Sequence, residues 1–201
     1  MTLIKICGMT TAEDIDQAVA AGADMIGFIL VPWSPRAIEL EQARRLRAHV
    51  PTGIEAIGVL SDETAERAAA MLEESGLDRV QVYGADADAT QALLGERAIV
   101  ARRLPTEQPG AADPMLLDRS FGEEPEPEQL AEHWATVRAL TDVGRRVILA
   151  SALTVDNVVA AIAAAQPWAV DVARGVEQSP GHKDHARVSA FIAAVREGSA
   201  A

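Results

Sequence analysis

Apolar positions along this chain gather into short runs rich in β-branched residues, and between the runs they spread out to helical intervals. Eight runs read as strands: Leu3–Cys7 (LIKIC), Met25–Leu30 (MIGFIL), Glu55–Leu60 (EAIGVL), Arg79–Tyr83 (RVQVY), Ala98–Arg102 (AIVAR), Met115–Asp118 (MLLD), Arg146–Ala150 (RVILA) and Ala169–Ala173 (AVDVA). The intervening stretches favour Ala, Leu, Glu and Arg. In TTAEDIDQAVAAGAD, Thr11 is placed to cap with Asp14 three positions on. Ile15, Ala18 and Val19 then form an apolar stripe, and Gly22 stops the helix. SDETAERAAAMLEESG repeats the scheme, with Ser61 or Asp62 predicted at its start and Gly76 at its end. TVDNVVAAIAAA and KDHARVSAFIAAV supply two late helices. Helix signal is poor from Pro105 to Pro114, so the fifth helix is predicted to be vestigial. The acidic, Pro-rich Gly122–Gln129 reads as a solvated loop entering the sixth.

Eight strands alternating with helices predict an α/β fold with a parallel sheet. Residues 1–201 are read as a single-domain (β/α)8 TIM barrel with a reduced fifth helix. A doubly wound open sheet would call for a Gly-rich phosphate turn of the G-x-G-x-x-G kind after the first strand, and CGMTTAED lacks it.

Composition narrows the setting. Hydrophobic residues make up 49% of the chain, enough for a sizeable core, but Ala supplies much of that and aromatics only 3%. A single cysteine excludes an internal disulfide and any Cys-based metal cluster within the chain. No charged leader precedes a long apolar segment, and no run of about 18 apolar residues is present to span a bilayer. The expectation is a soluble cytoplasmic protein, a monomer or homodimer. A net charge of −12 disfavours nucleic acid and anionic membranes as partners, while leaving room for a small anionic ligand in a locally positive site.

In a (β/α)8 barrel the reactive groups gather at the C-terminal ends of the strands. Strand one ends at Cys7, and alternation puts Lys5 on the same face about 6–7 Å below it. Strand two leads into VPWSPR and strand four holds Gln81. Strand five ends at Arg102 and Arg103, strand six at Asp118, and strands seven and eight run into SALTVDN and ARGVEQSPGHKD. A thiol, a carboxylate and several guanidinium groups on one rim amount to an acid–base pair with anion binders. Singly, each has a plainer explanation: a lone buried Cys is usually inert filler, and an Asp at a strand end often caps a helix. A buried Lys5 needs a partner, and Asp171 on the neighbouring strand eight is the one expected.

These residues carry a resemblance. KICGMT at the start, FILVPWSPR (Phe28–Arg36), IGV (Ile57–Val59), VQVYG (Val80–Gly84), LLD (Leu116–Asp118), LASALTVDNV (Leu149–Val158) and VDVARGVEQSPGHKD (Val170–Asp184) resemble the phosphoribosylanthranilate isomerase family, in order across nearly the whole chain. The resemblance implies an eight-fold barrel and an Amadori rearrangement in tryptophan biosynthesis, aminoaldose phosphate to 1-deoxyribulose phosphate, with no cofactor and no metal. It implies Cys7 as general base, Asp118 as general acid and Arg36 as the holder of the anthranilate carboxylate. The phosphate site falls around Ser151–Ala152 and Arg174–Gly175, and Gln81 and Asp171 complete the substrate-binding set. Four places depart from the family's pattern. Ser151–Ala152 replaces a usual Gly-Gly, Ala173–Arg174 replaces two serines, Tyr83 replaces a histidine, and RSFGEEPEPEQLAEHW replaces a Gly-rich stretch. Since the first two touch the phosphate turns, two other readings stay open: a related sugar-phosphate isomerase with a shifted substrate, and a non-catalytic barrel that binds a phosphorylated metabolite.

Overall fold

The computed structural model describes residues 1–119 and 125–198. Eight parallel strands close into a barrel in chain order: β1 (Leu3–Cys7), β2 (Met25–Ile29), β3 (Glu55–Ser61), β4 (Arg79–Tyr83), β5 (Ala98–Leu104), β6 (Met115–Arg119), β7 (Val147–Leu149) and β8 (Ala169–Val172). The ring shuts where β1 pairs with β8, with Lys5 in register with Asp171. Among the described residues seven α-helices pack outside: α1 (Ala12–Ala21), α2 (Leu40–Arg47), α3 (Ala65–Ser75), α4 (Ala87–Leu94), α5 (Pro127–Thr141), α6 (Val158–Ala165) and α7 (His185–Gly198). A short hairpin, β9 (Glu177–Ser179) with β10 (His182–Lys183), lies between β8 and α7.

Strand alternation sorts the core into two layers. Ile4, Ile6, Phe28, Leu60, Val80, Val82, Val100, Leu117 and Val170 face outward into the helices. Met25, Ile57, Ile99, Leu116, Ile148 and Ala169 face inward and fill the barrel's floor. The interior is therefore packed below and open only above.

Local signals explain the helices. Thr11 accepts the Asp14 N–H at 3.2 Å, and Gly22 ends α1 in the left-handed region with φ 103°. The start of α3 differs from expectation. Ser61 is still in β3, and the N-cap is Thr64, whose hydroxyl accepts the Arg67 N–H at 3.2 Å. Between β5 and β6 there is no helix at all. Three prolines, Pro105, Pro109 and Pro114, remove N–H donors from a ten-residue stretch that cannot then hold a helical ladder. Glu107 accepts the Arg103 N–H at 2.7 Å instead, and the Arg145 side chain donates to the Gly110 and Ala112 carbonyls. The helix α5 begins at Pro127, capped through Glu126 and Gln129, so the end of the expected Gly122–Gln129 loop is already helical. Gly122–Glu124 lie outside the described residues. Among the described residues no helix is long and apolar enough to cross a membrane.

Candidate active site

The strands' C-terminal ends surround a cavity of about 860 Å³. Cys7, Gln81 and Asp171 reach it from the barrel's interior, and Asp118, Arg36 and Arg174 line its rim, as do Ser151, Ala152 and Gly175. All nine residues expected at the site from the sequence thus border one space. Arg102 does not. Its side chain turns outward to pair with Asp88 at 2.5 Å, while Arg103, its neighbour on the opposite face of β5, lines the cavity.

At the bottom of the cavity Lys5 is fully buried and its Nζ meets Asp171 Oδ1 at 3.0 Å, the partnership that burial of an ammonium demands. Cys7 stands above them and is 5% exposed. Its room depends on Gly27 in the adjoining strand, where a Cβ would lie 2.7 Å from the thiol sulfur and 3.1 Å from Lys5 Nζ. Burial pulls the Lys5 ammonium down, yet Asp171 and the Cys7 thiol outweigh it and hold Lys5 above its ordinary value. For Cys7 the balance goes the other way. Burial pushes the thiol up, and Lys5 recovers only part of that.

The Arg36 guanidinium is fixed by Glu177. Arg36 Nε donates to Oε1 at 2.9 Å and Oε2 at 3.0 Å, and Nη2 donates to Oε2 at 2.6 Å. Such a fork-on-fork pairing sets the plane of the guanidinium and leaves Nη1 without a partner among the described residues. Glu177 also accepts from the wholly buried Lys183 at 2.8 Å, and Lys183 donates to the Cys7 carbonyl at 2.6 Å. One carboxylate thus ties the hairpin to the arginine of the loop after β2 and, through Lys183, to the end of β1. Sequence reasoning assigned no role to Glu177 or Lys183. The GVEQSPGHKD run that carries them was the available signal, and a Glu and Lys six apart became meaningful only when the hairpin folded them together.

Asp118, at the end of β6, accepts from Tyr83 at 3.2 Å and from Ser151. Ser151 and Ala152 both lie at positive φ, 75° and 53°, so the backbone of the turn keeps a glycine-like path without glycine. No acceptor among the described residues takes their N–H groups. The loop after β8 meets this turn closely: a Cβ on Gly175 would fall 2.0 Å from the Leu153 carbonyl oxygen. Gln81 is buried and donates to Tyr83 Oη at 3.4 Å, while its Oε1 has no partner among the described residues. Among the described residues no group of three or more His, Cys, Asp or Glu side chains is arranged to hold a metal ion.

A closed eight-stranded ring with a thiol, a carboxyl and a fixed guanidinium group at its C-terminal mouth has the architecture of (β/α)8-barrel enzymes. Residues 4–194 match the family described as N-(5'phosphoribosyl)anthranilate (PRA) isomerase. The N-(5'-phosphoribosyl)anthranilate isomerase of Acidithiobacillus ferrooxidans is 37% identical, with 98% of each chain covered. That of Chromohalobacter salexigens is 38% identical over 96% of this chain and 94% of its own. The crystal structure of the Thermotoga maritima phosphoribosyl anthranilate isomerase superposes with a TM-score of 0.84 at 29% identity, covering 98% of this chain and all of that one. A phosphoribosyl anthranilate isomerase in complex with reduced 1-(o-carboxyphenylamino)-1-deoxyribulose 5-phosphate gives 0.82 at 30% identity, with 98% and 100% covered. The chain belongs to the N-(5'-phosphoribosyl)anthranilate isomerase family.

Proposed function

We propose that the chain isomerises N-(5'-phosphoribosyl)anthranilate to the corresponding 1-deoxyribulose phosphate, a step of tryptophan biosynthesis, with Asp118 as general acid and Cys7 as general base. The observation that carries this reading is the convergence of the only thiol and the β6 carboxyl on one cavity, with the Arg36 guanidinium fixed at its edge.

Asp118, acting from its protonated form, hands its proton to the ribose ring oxygen as the C–O bond breaks. The anilino nitrogen supplies the electrons and becomes a protonated Schiff base. A positive charge next to Cys7 now favours the thiolate that burial disfavours in the free protein. The acid step thereby prepares the base, which removes the proton from the neighbouring carbon. The resulting enolamine takes a proton at the first carbon and releases one from the enol oxygen, giving the ketose. Hydrogen lost at one carbon is regained at the other, so the reaction requires no external oxidant or reductant.

Arg36, held in plane by Glu177, suits the anthranilate carboxylate. The N–H groups of Ser151 and Ala152, without an acceptor among the described residues, and the Arg174 guanidinium, beside Gly175, suit the phosphate. Gln81 Oε1 offers an acceptor to a sugar hydroxyl, and Asp171 serves indirectly by holding Lys5. All of these groups sit on one chain, so a monomer and a homodimer are equally competent. A thiol that must stay reduced suits the cytoplasm. The test is loss of anthranilate-substrate fluorescence on turnover by wild type, Cys7→Ser and Asp118→Asn. Each variant is expected to fold and to lose roughly 100- to 10,000-fold in kcat. Unimpaired turnover by both would remove the assignment of acid and base.

A further inference from the structure

Two hydroxyls grip Asp118, one on each oxygen, from the end of β4 and from the turn after β7. Tyr83 at the end of β4 donates to Oδ2 at 3.2 Å. Ser151, in the turn after β7, donates to Oδ1, and its Oγ accepts the Arg119 N–H at 2.8 Å. That second bond anchors Ser151 to the residue directly following Asp118. Neither hydroxyl is loosely placed. Tyr83 is 8% exposed, the Arg103 guanidinium lies 4.2 Å from its ring centroid, and Gln81 donates to its Oη. Burial, with the charge of Asp118 beside it, pushes the Tyr83 phenol well above its ordinary value, so it stays a donor across the neutral range. Ser151 adopts φ 75°, a conformation that costs an L residue about 1–2 kcal/mol and a glycine almost nothing.

An aspartate carboxyl is broadly free about its last torsion. A proton donor needs one oxygen held on the acceptor, since misplacement of a reacting group by about 1 Å can cost on the order of 100-fold. As the proton leaves, the developing carboxylate also draws more from two hydroxyl donors than the neutral acid did. We propose that Tyr83 and Ser151 are positioning residues for Asp118, clamping its carboxyl from both sides and favouring the charge that proton transfer leaves behind. This rests on the reading of Asp118 as the general acid.

The experiment compares steady-state kinetics of Tyr83→Phe, Ser151→Gly, Ser151→Ala and the Tyr83→Phe/Ser151→Gly pair with Asp118→Asn as reference. Glycine fits the backbone at position 151, so Ser151→Gly removes the hydroxyl without straining the turn and tests the idea even if Tyr83→Phe folds poorly. Each single variant is expected to lose about tenfold in kcat, the worth of one hydrogen bond to a charged group. KM and the inhibition constant of inorganic phosphate should stay within about twofold, because a tenfold change in either would mean 1.4 kcal/mol of lost ligand contact. The pair should lose less than the product of the singles, because one missing hydroxyl already frees the carboxyl. A raised KM and weaker phosphate inhibition at unchanged kcat for the Ser151 variants would overturn the clamp and assign that hydroxyl to the phosphate. Unchanged kcat in every clamp variant while Asp118→Asn is inactive would overturn the clamp alone. Full kcat in Asp118→Asn would bring down the acid assignment and the clamp with it.

Discussion

Cys7 is pushed in opposite directions by its surroundings. Burial raises the thiol, Lys5 beneath it lowers it, and Asp171 behind Lys5 raises it again, with a net upward result. The thiolate fraction of the free protein should therefore climb with pH only beyond the ordinary thiol value of about 8.5. Because Cys7 is the sole cysteine, its alkylation by iodoacetamide reads this out directly. The alkylation rate is expected to rise through the alkaline range with an inflection above that value. In Lys5→Met the pull toward thiolate is gone, so the inflection should move further up. A profile unmoved by Lys5→Met would leave Lys5 as a structural partner of Asp171 and nothing more. Gly27 belongs to the same balance, since any side chain there would displace both the thiol and the ammonium.

The β9–β10 hairpin does for Arg36 and β1 what no single strand could. Glu177 is 6% exposed and receives two cations, Arg36 and Lys183. Burial pushes its carboxyl up, but the hydrogen bonds from those cations outweigh it and hold Glu177 below its ordinary value. A carboxylate lowered on folding adds stability that is fully present above about pH 4.3 and drains away as pH falls through the lowered value. Glu177→Gln leaves the buried Lys183 ammonium and the partly buried Arg36 guanidinium uncompensated and is expected to lose about 3 kcal/mol in urea unfolding at pH 7. The gap to wild type should close in acid, and a gap that stayed constant to pH 3 would contradict the role given to Glu177. Elements were largely legible in advance because strand runs and capping residues are local signals: Thr11 and Gly22 bound α1 as expected. The start of α3 was misplaced because Ser61, Asp62 and Thr64 all carry capping side chains, and only strand pairing, which extends β3 to Ser61, selects among them. The site was legible wherever a residue stands at a strand end, as Cys7 and Asp118 do. Partnerships made through a hairpin or across the ring, such as Lys183 with the Cys7 carbonyl and Ser151 with Asp118, depend on closure of the whole barrel and leave no local trace.

Closure also divides the molecule into two ends with different work. At the N-terminal end, acids just before one strand bind the first N–H groups near another. Asp24 accepts from Ile4 at 2.8 Å, Asp78 from Ala56 at 2.8 Å and Asp113 from Arg146 at 2.9 Å. Part of the acidic excess is thus spent on joining strands. Arg196 of α7 fastens the same end, donating to the Gly22 carbonyl and Asp24 at 2.8 Å each and to the Thr2 carbonyl at 3.3 Å. At the other end the loops after β7 and β8 touch at Gly175, beside the turn proposed for the phosphate. Two substitutions should therefore tell the two ends apart. Arg196→Ala removes charge-assisted bonds far from the cavity and is expected to destabilise by about 2 kcal/mol, a fall in Tm of about 4–8 °C, with kcat and KM unchanged. Gly175→Ala forces a methyl group against the Leu153 carbonyl and must part the two loops. Its KM is expected to rise on the order of tenfold, about 1.4 kcal/mol of ligand binding, together with a fall in Tm, because the methyl group meets backbone that must move. Thermal melts and steady-state kinetics on both proteins give the answer, and a kinetic defect in Arg196→Ala equal to that of Gly175→Ala would mean the two ends are mechanically coupled through the ring.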